Sequence, residues 1–139
     1  MPYRRLLNKL RDNGVRGKVL AWIEDWLTDR RQKVGIKGSF SGWQPVTSGI
    51  LQGLVLGPQF FTIYINDLKD GTEGMVAKFA DDTTICRGTG NVEKVGRLQN
   101  VLDRLGEWAK KWQMEYNVGK SEVMHFGRKN RGEDYFLNG

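Results

Sequence analysis

Apolar residues in this chain change period along its length, and the changes divide it into elements. Val15, Val19, Trp22, Ile23, Trp26 and Leu27 recur at three- and four-residue steps, which predicts an amphipathic helix over residues 15 to 28 with its apolar face in the core. The stretch "RRQKVGIKGSFSGWQPVTSG" abandons that period. Val34 and Ile36 alternate, "KGSFSG" supplies turn residues, and Trp43 to Thr47 can return as a second strand, so a hairpin is expected. In "GILQGLVLGPQFFTIYINDL" a glycine-rich approach precedes Pro58, which suits the first position of a helix continuing to about Leu68.

Residues 75 to 87 alternate again. Met75, Ala77 and Phe79 share one face of a strand, Thr84 to Cys86 form its return, and Asp81 and Asp82 fall at the bend. From Val92 to Trp112 the apolar positions Val95, Leu98, Leu102, Leu105, Ala109 and Trp112 mark a long helix with a charged opposite side, placed to cover a sheet. A turn, a short strand at Glu122 to Phe126, and the start of another at "YFLNG" complete the chain. The fold class these elements predict is α+β.

At 139 residues, with hydrophobic content of 39%, the expectation is one domain or a piece of a larger one. No apolar run reaches a membrane-spanning length, and "MPYRRLLNKLRDN" lacks the pattern of a secretory signal, so an intracellular protein of nucleus or cytoplasm is expected. Cys86 and His125 are the sole cysteine and histidine, which excludes an internal disulfide and a Cys/His zinc site. A Cys86–His125 nucleophilic pair remains open beside the plainer expectation that Cys86 is a small buried hydrophobe and His125 packing or surface.

Charge is unevenly distributed. Residues 1 to 37 carry ten Lys and Arg against four acids, residues 38 to 90 three against five, and residues 91 to 139 nine against seven. A faintly acidic middle between basic flanks suits a protein that holds a polyanion at its flanks and cations at its centre; a solvated basic surface gives the same count.

The candidate chemistry centres on Asp81 and Asp82. In an extended strand their carboxylates would point to opposite faces, so only a turn brings both near one divalent ion. A two-metal phosphoryl-transfer site needs such hard oxygen ligands, though two carboxylates from one turn do not complete it. Asp also simply favours turns. Gly49 and Gly53, around Gln52, would let backbone approach a template closely, or form a plain loop. Lys120, in a turn after Asn117 and Gly119, could serve a departing pyrophosphate or be only solvated. Trp108 and Trp112, one helical turn apart, fit core packing as well as base stacking.

Taken in order, "VRGKVLAWIEDWLTDRRQKVGIKGSFSGWQPVTSGILQGLVLGPQFFTIYINDL", "KFADDTTI", "LGEWAKKWQMEYNVGKSEVMHFG" and "YFLNG" resemble the reverse-transcriptase domain of non-LTR, LINE-type retrotransposons, closest to the chicken-repeat-like vertebrate clade. The resemblance implies an RNA-directed DNA polymerase that uses Mg²⁺, an RNA template, a DNA primer and deoxynucleotides. It implies that "FADD" is the catalytic box of an antiparallel palm sheet with helices on one face, Phe79 holding the aromatic place and Asp81 and Asp82 the metal. Asp81 is implied as the direct ligand. It further implies that Gly49, Gln52 and Gly53 contact template and incoming nucleotide and that Lys120 assists pyrophosphate departure.

The chain departs from the family pattern where Leu51 and Leu54 stand in place of a usual Pro and Ser. The family's first catalytic strand, with its aspartate, has no counterpart before residue 15. The expectation is therefore a truncated, inactive palm fragment lacking first strand, fingers and thumb. A non-enzymatic nucleic-acid-binding remnant, or the product of a decayed element with no selected role, is the alternative.

Overall fold

The structure is a computed structural model that describes residues 1–49, 55–70, 75–88, 92–128, 130 and 132–137. The chain divides into two compact units, Met1–Asn66 and Asp67–Gly139.

In the first unit three helices make the core. Helix α1 (Tyr3–Asp12) was not anticipated from the sequence, because only Leu6, Leu7 and Leu10 interrupt a strongly polar stretch. Those three are buried together on one face, and that one stripe suffices when other helices cover it. Its end is written in the sequence. Gly14, at φ +88, donates to the Arg11 carbonyl, and Val15 donates to that of Leu10, the paired bonds of a Schellman stop.

Helix α2 (Gly17–Leu27) follows as expected, but its buried stripe is Leu20, Ile23 and Leu27. Val19 and Trp22 are exposed rather than core, and Trp22 stacks on Trp26 at 6.1 Å between ring centroids. Trp26 in turn meets Phe60 of α3 (Leu56–Tyr64) in a tilted contact. The helix starts two residues before the expected Pro58, which is its third residue and still lies in the first turn, where its missing N–H costs nothing. The chain then continues as a 3-10 turn over Asn66–Lys69, so the helical run anticipated to Leu68 is present with a change of pitch.

Between α2 and α3 stands the first hairpin. Strands β1 (Arg31–Gln32) and β4 (Gln44–Pro45) pair antiparallel, as do β2 (Gly35–Ile36) and β3 (Ser39–Phe40). Lys37 and Gly38 make the turn with φ of +48 and +84, the two positive values of a type I′ hairpin.

The second unit holds β5 (Met75–Phe79) and β6 (Asp82–Cys86), paired in register Val76 to Ile85 and Phe79 to Asp82. Helix α4 (Val92–Trp112) has the anticipated bounds. Leu68, Val101 and Leu105 are buried together, with Ile85, Leu102, Trp108 and Tyr116 packed against them. Trp108 therefore serves the core, and its ring N–H donates to the Asp67 carboxylate at 2.9 Å. A second Schellman stop ends α4, with Gln113 at φ +53 in the place glycine usually takes.

The fold class is α+β. In place of one antiparallel sheet, the strands of the described residues form three two-stranded ladders. Nor does Glu122–Phe126 form a strand, although its residues suit one. Strand formation needs a partner's backbone groups, and none is paired there among the described residues. Nearby, the Gln99 side-chain amide donates to the Phe136 carbonyl at 2.8 Å and accepts its N–H at 3.0 Å, which satisfies that backbone as a neighbouring strand would.

Tyr116 carries the one testable weakness of this second core. Its hydroxyl is buried with no hydrogen-bond partner among the described residues, and burial pushes its pKa from 10.0 up to about 12. Tyr116→Phe should stabilise the protein by about 1 kcal/mol in urea unfolding at neutral pH, because an unpaired buried hydroxyl is removed. The raised pKa means that the fold favours the neutral phenol. Native stability is thus intact below pH 10 and falls as pH rises towards 12, a loss that Tyr116→Phe should flatten. A destabilised variant with an unchanged alkaline limb would contradict this.

Candidate functional site

Strands β5 and β6 join through a two-residue turn, Ala80 and Asp81, with Asp82 opening β6 opposite Phe79. The anticipated bend is there, but the pair is divided: Asp81 occupies the turn and Asp82 the ladder. Of the turn residues only Ala80 has positive φ, +52, which distinguishes a II′-like turn from I′.

Which face each residue takes follows from parity. Val76, Lys78, Thr83 and Ile85 lie on the half-buried side, and Ile85 reaches the core of α4. Met75, Ala77, Phe79, Asp82, Thr84 and Cys86 lie on the exposed side, with Phe79 82% exposed. The apolar set picked from the sequence is thus one face, as expected, and it is the outer one. Cys86 is exposed, not buried as its composition suggested. His125 lies on the surface, stacked on Tyr135 and bonded to Asn130.

Asp81 and Asp82 are both exposed, and their carboxylates make no hydrogen bond or ion pair with the described residues. No third acid, His or Cys joins them in a group that could hold a metal, among the described residues. Two acceptor-only side chains at a bare tip present hard oxygen donors, the chemistry that suits Mg²⁺ and phosphate transfer.

The other candidates stand elsewhere. Lys120 ends the 3-10 turn Val118–Lys120, exposed and without a side-chain partner among the described residues. Gly49 belongs to the first unit, where its N–H donates to the Met1 carbonyl at 3.1 Å beside the Pro2–Ser48 bridge. A Cβ there would meet nothing within 4 Å, so the glycine answers to its φ of +87. Gln52 and Gly53 lie outside the described residues.

Residues 1–135 match the family described as reverse transcriptase (RNA-dependent DNA polymerase). The chain belongs to that family. Its relatives include the "RNA-directed DNA polymerase from mobile element jockey" of Drosophila funebris, 32% identical over 75% of this chain and 12% of the relative. The protein of the same title from Drosophila melanogaster is 26% identical over 77% of this chain and 13% of its own length. The "Probable RNA-directed DNA polymerase from transposon X-element" of Drosophila melanogaster is 30% identical over 78% of this chain and 13% of its own. The chain thus spans about an eighth of these relatives. No solved structure matches.

Sequence reasoning had no means of locating the strain at the tip. A non-glycine residue in the left-handed region costs roughly 1–2 kcal/mol, and glycine gives back part of that gain through its freer unfolded state. Ala80→Gly should therefore stabilise the second unit by about 0.5–1 kcal/mol in thermal or urea unfolding. A destabilised variant would show that the turn is not held as described.

Proposed function

We propose that this chain is part of the palm of a reverse transcriptase from a LINE-type retrotransposon, with Asp81 and Asp82 as its metal-holding carboxylates. The observation that carries this is two unpartnered carboxylates at one hairpin tip, in a chain matching the family over residues 1–135. The mobile-element titles of the relatives support the retrotransposon origin. The finer assignment to the chicken-repeat-like clade rests on the quoted stretches, and residues 1–139 then form one partial domain.

The reaction is RNA-templated addition of deoxynucleotides to a DNA 3′ end with release of pyrophosphate. Mg²⁺ keeps several waters and takes one or two carboxylates beside substrate phosphates, a demand that Asp81 and Asp82 fit. Bound there, it would neutralise phosphate charge and activate the attacking hydroxyl. Asp81 acts as direct ligand with Asp82 beside it, and Lys120 offers its charge or a proton to the departing pyrophosphate. Gly49, Gln52, Gly53 and Phe79 contact template and incoming nucleotide.

As 139 residues the chain is inactive in this reading, because the two carboxylates on one tip, joined by no third ligand among the described residues, under-coordinate a two-metal reaction. The second reading, a nucleic-acid-binding remnant, draws on the ten cations of residues 1 to 37.

Primer extension separates the readings. With RNA template, DNA primer, deoxynucleotides and excess Mg²⁺, the 139-residue chain should give no product. Joined to the segments that flank the matched region in the relatives, and carrying Leu51→Pro and Leu54→Ser, it should recover part of the primer extension, and Asp81→Asn should slow that by on the order of a thousandfold. Extension by the unmodified chain that Asp81→Asn abolishes would overturn the inactivity. An active joined chain indifferent to Asp81→Asn would overturn the carboxylate assignment.

A further inference from the structure

Every residue from Arg31 to Pro45 is exposed, yet the hairpin carries Val34, Ile36, Phe40 and Trp43, each more than half accessible. From Arg30 to Pro45 there are four cations and no acid. Among the described residues no core packs on these two large rings, and scattered apolar residues alone would mean little. These rings, however, are organised.

The organisation comes from a bulge. Two residues, Lys33 and Val34, separate β1 from β2, whereas three, Ser41 to Trp43, separate β3 from β4. The extra residue sits in the returning strand. On an unbroken strand Phe40 and Trp43, three apart, would face opposite sides. Here Lys33 Nζ lies 4.1 Å from the Phe40 ring centroid and 4.9 Å from that of Trp43, so both rings meet the same ammonium.

The bulge is held by bonds to Val34. Ser41 donates its N–H to the Val34 carbonyl at 2.8 Å, and its hydroxyl accepts the Val34 N–H at 2.9 Å. Phe40 is seated over Gly35, where a Cβ would approach a ring carbon to 2.7 Å.

We propose that this hairpin is a docking surface for an unpaired RNA strand, with bases stacking on Phe40 and Trp43 and phosphates meeting Arg31, Lys33 and Lys37. Flat apolar faces interleaved with uncompensated positive charge match a polyanion whose bases are exposed, and such stacking tolerates any base. A protein partner or a second copy would use the apolar residues but leave the exposed cations Arg31 and Lys37 without an acid. This inference rests on the reading that the chain acts on nucleic acid. It adds where an unpaired strand lies.

The test measures anisotropy of a short labelled oligouridylate against the 139-residue chain at several salt concentrations, beside oligothymidylate and duplex RNA. Trp43→Ala should weaken oligouridylate binding about tenfold or more, while Trp43→Phe retains most of it. Lys37→Asn removes a charge while placing a residue that favours the left-handed turn, so it keeps the hairpin folded if the ring variants do not. It should lower the salt slope by about 0.7, the value of one single-strand phosphate contact. Binding that both Trp43→Ala and Lys37→Asn leave unchanged would overturn the hairpin while sparing nucleic-acid binding as such. Preference for duplex, or tenfold preference for oligothymidylate, would overturn the unpaired RNA strand as occupant. Self-association that oligouridylate does not compete with would assign the surface to a second copy. No binding at low salt would overturn both the surface and the remnant reading, whereas the carboxylate assignment stands or falls on primer extension.

Discussion

The packing of Ile85 against Leu68, Val101 and Leu105 decides what the carboxylate hairpin can do. A two-stranded ribbon in water is marginal, so one face must find a core. Because side chains alternate, burying Ile85 and its opposite number Val76 sends Phe79 and Asp82 outward and leaves Asp81 at the turn. A register slip by one residue would exchange the two faces and turn Asp82 inward, where an unpaired carboxylate is costly. The long helix α4 is thus more than a cover. Its Val101 and Leu105 fix the parity of strands whose chemistry lies on the other side.

Much of this was legible, and the reasons differ by element. Helices α2 and α4 carry long apolar periods, and both hairpins announce themselves through alternation broken by turn residues. Helix α1 was not, because three leucines in ten residues carry too short a period to stand out against its cations, although Gly14 marks its end. The Glu122–Phe126 strand failed for the opposite reason: its composition suits a strand, but strands are made by partners that composition does not name. At the candidate site the bend at Asp81 was legible from sequence, whereas the place of Asp82 in the ladder and which face would be wet were not. Met75, Ala77 and Phe79 look like a core face by hydrophobicity, and only the contact of Ile85 with α4 reverses that reading.

Backbone in the left-handed region recurs where elements stop or reverse. Gly14 and Gln113 end helices, Asp29 follows α2, and Lys37 and Ala80 turn the two hairpins. At Gly14 the sequence supplies the residue that this conformation favours; at Lys37, Ala80 and Gln113 it does not. The neighbouring ladder or helix bonds over-determine those positions and hold them. At Lys37 the side chain kept is a cation at an exposed tip, and beside Ala80 it is a carboxylate. Both tips therefore carry charge into solvent from strained backbone, in keeping with loops that serve ligands rather than packing.

The two hairpins also divide the charge. Cations without acids mark Arg30 to Pro45, and the adjacent acids Asp81 and Asp82 mark the other tip, on a different compact unit. The proposed nucleotidyl transfer on a nucleic acid would need both kinds of surface, since a strand's phosphates require positive charge and a metal ion requires negative. Placing lysines against the carboxylates would neutralise them and compete with the metal, and placing carboxylates on the aromatic ribbon would repel the strand. Asp81 and Asp82 have no ion-pair partner among the described residues, and Lys33 rests on rings instead of on an acid, an arrangement that agrees with the proposed reading. Each tip can meet its ligand only if the chain itself has not already satisfied the charge.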